Sequence, residues 1–160
     1  MRSLVLRANA LAERIAAPLQ SLLLLATRVY VSWQFLKSGW LKVQDWEATL
    51  FLFQEEYKTP VLSPAVAAVA GTFGEIVFPV LLIVGLLGRY SAAALFAVNI
   101  MAVVSYAHVL LGDGFEAALG QHYLWGFMLL VLIVFGPGRW SLDHLLDRRS
   151  GRPHHRTQRP

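Results

Sequence analysis

The sequence predicts an all-α integral membrane protein. The expected fold is an antiparallel bundle of four transmembrane helices, with both termini cytoplasmic and an amphipathic interfacial helix between helices 1 and 2. Three observations carry that prediction. Apolar residues make up 56% of the 160, and they fall in long blocks rather than in stripes. Charge, only 15%, collects between the blocks. Each block is close to the ~17–25 residues that a helix needs to cross the hydrocarbon core of a bilayer.

The elements follow in order. The leading segment, residues 1–18, carries Arg2, Arg7 and Arg14 and shows no small-residue cleavage pattern, so it reads as the start of a retained anchor rather than a signal peptide. Arg7, Glu13 and Arg14 beside Leu4, Leu6, Leu11 and Ile15 suit a short helix at the membrane surface. Helix 1 is expected over about 19–37, with Arg28 as its one internal charge. A periplasmic loop, 38–60, follows. Within it Trp46, Leu50, Phe51, Phe53 and Tyr57 recur at roughly helical spacing with acids between them, which predicts the amphipathic helix. Thr59-Pro60 and Ser63-Pro64 end that helix and start the next, proline being tolerated in a first helical turn.

Helix 2, about 61–88, contains one charge, Glu75. Leu87-Gly88-Arg89-Tyr90 turns it directly into helix 3, about 90–111, so those two pack antiparallel. Helix 4 covers about 119–136 and ends at Gly136-Pro137-Gly138. The remainder, 139–160, is a basic tail in which WSLDHLLDRR can form a last interfacial helix capped by Ser141. The four helices and their links, 19–138, are one membrane domain. The amino-terminal segment and the six arginines from Arg139 onward set the cytoplasmic side, while the link after helix 3 has only acids, Asp113 and Glu116. The chain has no cysteine, which excludes a disulfide framework and a thiol nucleophile. No folded nucleic-acid module is present. His154 and His155 in the tail do not make a metal site, and no zinc-type spacing or phosphate-binding loop appears anywhere.

Polar residues inside the spans are expensive and so are informative. Counted from the helix ends at ~1.5 Å per residue, Arg28, Glu75 and Asn99 all come near mid-bilayer. An isolated charge there costs at least ~2.5–3.5 kcal/mol. The expectation is therefore an Arg28–Glu75–Asn99 cluster, extended along its stripe by Ser32 and Tyr106. Gly71 and Gly74 would let a helix come close, and Pro79 leaves the Glu75 carbonyl without its helical donor. The cluster admits three readings: a packing device, a pocket for a quinone or another small ligand, and a proton relay. In the ligand reading Glu75 accepts a hydrogen bond or proton, Arg28 holds its charge, and Trp33, Phe73 and Trp125 line the apolar part. A second layer toward the outer face holds Lys37, His108, His122 and Trp125, although His108, nine residues after Asn99, falls on the opposite face of a straight helix.

The runs RVYVSWQFLKSGWLKV, EEYKTPVLSP, GEIVFPVLLIVGLLGRYSAAAL and LWGFMLLVLIVFGPGRWSLDHLL together resemble the DoxX family of small four-helix membrane proteins, over roughly residues 20 to 146. Arg28, Lys37, Glu75 and Arg89 match that family's polar pattern. The resemblance implies a multi-pass protein of the bacterial inner membrane that serves a quinone-linked oxidoreductase or a redox-maintenance system, with a partner subunit performing the electron chemistry. Relatives near the EEYKTPVLSP type often accompany metal-dependent peptide-modifying proteins. It transfers no catalytic motif. Two other functions fit the same residues: a non-catalytic assembly or export partner of other proteins, and a small-solute permease working as an oligomer. The expected partners are the lipid bilayer and either other subunits or further copies of the chain.

Overall fold

The computed structural model describes residues 2–149, and in the first helix the side chains of Arg7, Asn9 and residue 12 onward. The side chains of Leu4, Leu6 and Leu11, and the tail GRPHHRTQRP, lie outside the described residues. Among the described residues, seven helices run in order: α1 Arg2–Gln44, α2 Trp46–Glu55, α3 Pro64–Val84, α4 Gly88–Ser105, α5 Ala107–Leu110, α6 Glu116–Phe135 and α7 Leu142–Arg149. All of the described regular structure is helical. Four helices are long and apolar enough to cross a membrane: α1 from Ala12, α3, α4 and α6. α3 packs on α1 and on α4, and α6 closes the bundle against α4 and α1. Leu82, Leu95, Leu129, Leu132 and Val31 meet in the core, while Leu23, Trp40, Phe127 and Val134 point outward as lipid-facing side chains should.

The first helix is the main departure from expectation. It does not begin at about residue 19 or stop at 37. It runs unbroken through Pro18 and on to Gln44, so Lys37 is an exposed residue well inside it. Residues Arg2–Gln44 make a rod of ~65 Å, about twice the ~30 Å hydrocarbon core, so its length alone fixes no register. Packing does. Gly39 lies against Glu75 and Ile76, where a Cβ would meet Ile76 Cγ1 at 2.8 Å, and farther back Gly85 lies against Arg28. α1 therefore passes α3 with Gly39, not Arg28, at the level of Glu75.

α2 covers Trp46–Glu55, within the link where the aromatic residues recur. Asp45 caps it by accepting from the Ala48 amide (3.0 Å), and the Thr49 hydroxyl donates to the Lys42 carbonyl (3.0 Å), which folds α2 back over the end of α1. Phe53 packs against Ala67 and Ala68 of α3. The expected third helix is broken in two at Tyr106. The Ser105 carbonyl accepts the Lys58 amide (2.9 Å) from the α2–α3 link, which ties that link to α4 where the helix breaks.

At the opposite end, α7 returns to the bundle. Gly85 ends α3 in the left-handed region (φ 75°), and the Asp143 carboxylate accepts the Leu87 and Gly88 amides (2.8 and 2.7 Å) at the start of α4. Ser141 caps α7 by accepting the His144 amide (3.3 Å). We refer to these two ends as the α2 end and the α7 end.

Candidate functional site

The polar side chains of the spans fall into two groups, and the grouping differs from the expected cluster. Glu75 is not paired with Arg28. Its two carboxylate oxygens accept from Lys42 Nζ at 2.7 and 2.5 Å, and the same ammonium donates to Ser38 Oγ at 2.9 Å. Both partners are largely buried, with side-chain exposures of 14% for Lys42 and 9% for Glu75. Lys42 comes fourteen residues after Arg28, ~21 Å farther along a straight helix. The close approach depends on Gly39, since a side chain there would push α1 off α3 at the level of the carboxylate.

Arg28, 1% exposed, belongs to the α7 end. Its Nη2 donates to the Trp140 carbonyl (2.7 Å), and it sits beside Gly85 and Ser141. Arg89 works similarly, with Nη1 donating to the Ile133 and Val134 carbonyls (2.5 and 2.6 Å) at the end of α6. Each guanidinium donates to main-chain oxygens, although Nε and Nη1 of Arg28 are buried with no hydrogen-bond partner among the described residues.

Asn99 is at Glu75's level, as the sequence suggests. Gly74 of α3 faces Val98 of α4, so the residues next to them, Glu75 and Asn99, are also level. The Asn99 amide donates to the His122 carbonyl (3.0 Å), and its Oδ1 meets His122 Nδ1 (2.9 Å). Gly126, one turn on in α6, leaves room for Asn99. His122 thus joins the mid-bundle layer. His108 does not accompany it: that residue is exposed on α5, its ring edge-to-face with Tyr106. Ser32 is fully buried on α1 and its hydroxyl has no hydrogen-bond partner. Trp33 and Phe73, expected to line a site, are 57% and 56% exposed on the outside of the bundle.

The second group surrounds a cavity of about 570 Å³, within the ~300–1,000 Å³ usual for small-ligand sites. Lys42, Ser38, Gln34 and Phe35 of α1 form one wall, and Glu75 and Phe78 of α3 another. His122 and Trp125 of α6 line it as well, and Phe53, Tyr57 and Thr59 roof it from the α2 end. Tyr106 lines it too, edge-on to Tyr57 at 5.3 Å between ring centroids. Ala70 of α3 with Ala97 and Met101 of α4 line the cavity and are also exposed, so it opens on the flank of the bundle between those helices. Burial, the Glu75 carboxylate, Tyr106 and Glu56 together hold the Tyr57 phenol above its ordinary range, so it stays neutral at physiological pH.

Lys42 and Tyr57 are central to this site, and neither is among the site residues expected from the sequence. The signal for Lys42 was present. Arg28, Ser32, Phe35, Gly39 and Lys42 recur at three- and four-residue steps, one continuous stripe that a helix ending at 37 would cut.

Helices of spanning length around a chamber that opens sideways define a multi-pass membrane protein. The family model for DoxX matches residues 23–108, and the chain belongs to the DoxX family. A protein of Haemophilus influenzae described as an uncharacterized protein is 33% identical over 132 residues, covering 78% of this chain and 83% of its own length. No solved structure matches. The family match includes Lys42, Glu75 and Asn99 and ends before His122 and Trp125 on α6.

Proposed function

We propose that this chain is the membrane subunit of a redox system in the bacterial inner membrane, and that its cavity receives the headgroup of a quinone. The observation that carries this reading is the chamber itself. It is mostly apolar, large enough to admit a substituted aromatic ring, and open on the flank that faces acyl chains. A lipid-soluble ligand with an isoprenoid tail reaches such a site by lateral entry between α3 and α4, its ring inside and its tail between the small residues Ala70 and Ala97. The polar atoms are few and convergent, the pattern that orients a ligand in an otherwise apolar site. In this reading the redox chemistry rests with the quinone and a partner subunit, and the chain, which has no cysteine, contributes no thiol. The same reading puts both termini, with their arginines, on the cytoplasmic side, and α2 on the periplasmic surface.

Purification from native membranes, solvent extraction and mass spectrometry of the extract test the reading. The expected result is a quinone that co-purifies with the wild-type chain and is depleted at least about tenfold in Glu75→Leu/Lys42→Met, a double change that removes both charges from the wall. Equal quinone content in both proteins, or none in either, contradicts it.

A further inference from the structure

The hydrogen-bonding polarity of the cavity wall selects between the two redox forms of such a ligand, an inference that rests on the quinone reading above. A quinone carbonyl only accepts hydrogen bonds; the corresponding quinol hydroxyl donates one. Which form a wall favours depends on what its fixed groups still have to offer once they have satisfied one another.

Lys42 has nothing left to give. An ammonium has three hydrogens, and three oxygens surround Nζ: Ser38 Oγ and the two oxygens of Glu75. Glu75 is an acceptor with lone pairs to spare beyond those facing Lys42. His122 is fixed by Asn99. The Asn99 nitrogen must be the atom facing the His122 carbonyl, because a carbonyl only accepts, and this turns Asn99 Oδ1 toward His122 Nδ1. Nδ1 therefore carries the hydrogen of the neutral imidazole, and Nε2 is left as an acceptor. Nε2 has no hydrogen-bond partner and is not among the sealed atoms, on a ring that lines the cavity. Another donor of fixed polarity on a lining ring, the Trp125 indole N–H, has no hydrogen-bond partner among the described residues but is buried and presents no accessible surface to the space. Gln34, Ser38, Tyr57 and Tyr106 can each donate or accept, so they do not discriminate.

We propose that the cavity binds the quinol in preference to the quinone, with His122 Nε2 and the Glu75 carboxylate accepting hydrogen bonds from its hydroxyls. A quinone in the same place would bring its carbonyl oxygens up against lone pairs and leave buried acceptors unpaired. Because tighter binding of the reduced form makes a couple easier to reduce, the bound pair has a higher midpoint potential than the free pair. Each tenfold of preference raises it by about 30 mV for a two-electron couple.

The test uses the full chain in lipid nanodiscs under argon, with menadione and menadiol as probes, and equilibrium dialysis to give the two dissociation constants. The expected result is menadiol at least about tenfold tighter than menadione in the wild type. In His122→Phe, which keeps an aromatic ring and removes the acceptor, the ratio falls to within about threefold. Equal binding of the two probes by the wild type, or tighter binding of menadione, overturns the proposal and leaves the quinone site standing. Binding of neither removes the quinone site, and the proposal with it. The wild-type ratio decides the matter even where His122→Phe does not fold.

Discussion

The two ends of the bundle use the same kinds of residue for opposite purposes. At the α7 end, Arg28 and Arg89 donate to the carbonyls of Trp140, Ile133 and Val134, and Asp143 accepts the amides that begin α4. Each of these charges bonds to main chain: Arg89 and Asp143 to groups that helix termini leave open, and Arg28 to a carbonyl of the link between α6 and α7. At the α2 end the charges meet each other. Lys42 and Glu75 form a side-chain pair, and Asn99 and His122 another, along the walls of a chamber. Charge spent on backbone closes a structure. Charge held by other side chains beside open space keeps a polar atom for something else.

That contrast can be broken in graded ways. The largest effect is expected at the α2 end. Lys42→Met alone leaves a buried carboxylate without its partner and should cost about 3–5 kcal/mol, with Glu75→Leu alone similarly costly. Together the two changes should recover most of that loss, whereas Arg28→Met combined with Glu75→Leu should show simple additivity, because the two sites do not touch. Denaturant titration of the detergent-purified proteins measures both cycles. Next comes Gly39→Val. It forces a side chain against Ile76 and Glu75 and should cost about 1–3 kcal/mol while lowering ligand binding, because it parts the helices that carry the pair.

At the α7 end, Asp143→Ala removes the cap from Leu87 and Gly88 and should cost about 1–2 kcal/mol with quinone content unchanged. A matching loss of quinone would mean that the two ends are not independent. The smallest effect concerns Tyr57. Its phenol is held above the ordinary range by burial and then by Glu75, Tyr106 and Glu56. Unfolded chains lose that proton near pH ~10 while the folded chain keeps it, so stability falls as pH rises above that point. Tyr57→Phe should flatten the decline and change stability little at neutral pH, as thermal melts across an alkaline series will show.

Much of the fold was legible because blocks of apolar residues and the punctuation between them are strong signals. Ser63-Pro64 and Gly136-Pro137-Gly138 mark helix boundaries by backbone chemistry alone, whereas the turn expected at Leu87-Gly88-Arg89-Tyr90 comes earlier, with α3 ending at Val84 and α4 starting at Gly88. The level shared by Glu75 and Asn99 was legible too, from counting along two helices joined by a short turn. The partner of Glu75 was not. Counting places a residue correctly only when a helix's ends are known, and α1 overruns both ends of its apolar block. Lys42 therefore looked like a loop residue, and Arg28 took its place on paper. The long first link hid Tyr57 for a similar reason: its position over the cavity depends on the Lys58–Ser105 backbone bond, a tertiary contact with no local signature.

The claim on which the rest depends is the register of α1 on α3, and the absence of cysteine makes it directly measurable. Two double variants, Lys42→Cys with Glu75→Cys and Arg28→Cys with Glu75→Cys, can be treated in membranes with a bifunctional thiol reagent reaching about 10 Å, half the ~21 Å that separates positions 28 and 42 along the helix. The account predicts an efficient intramolecular cross-link in the first variant and none in the second. A cross-link between positions 28 and 75, with none between 42 and 75, would contradict it.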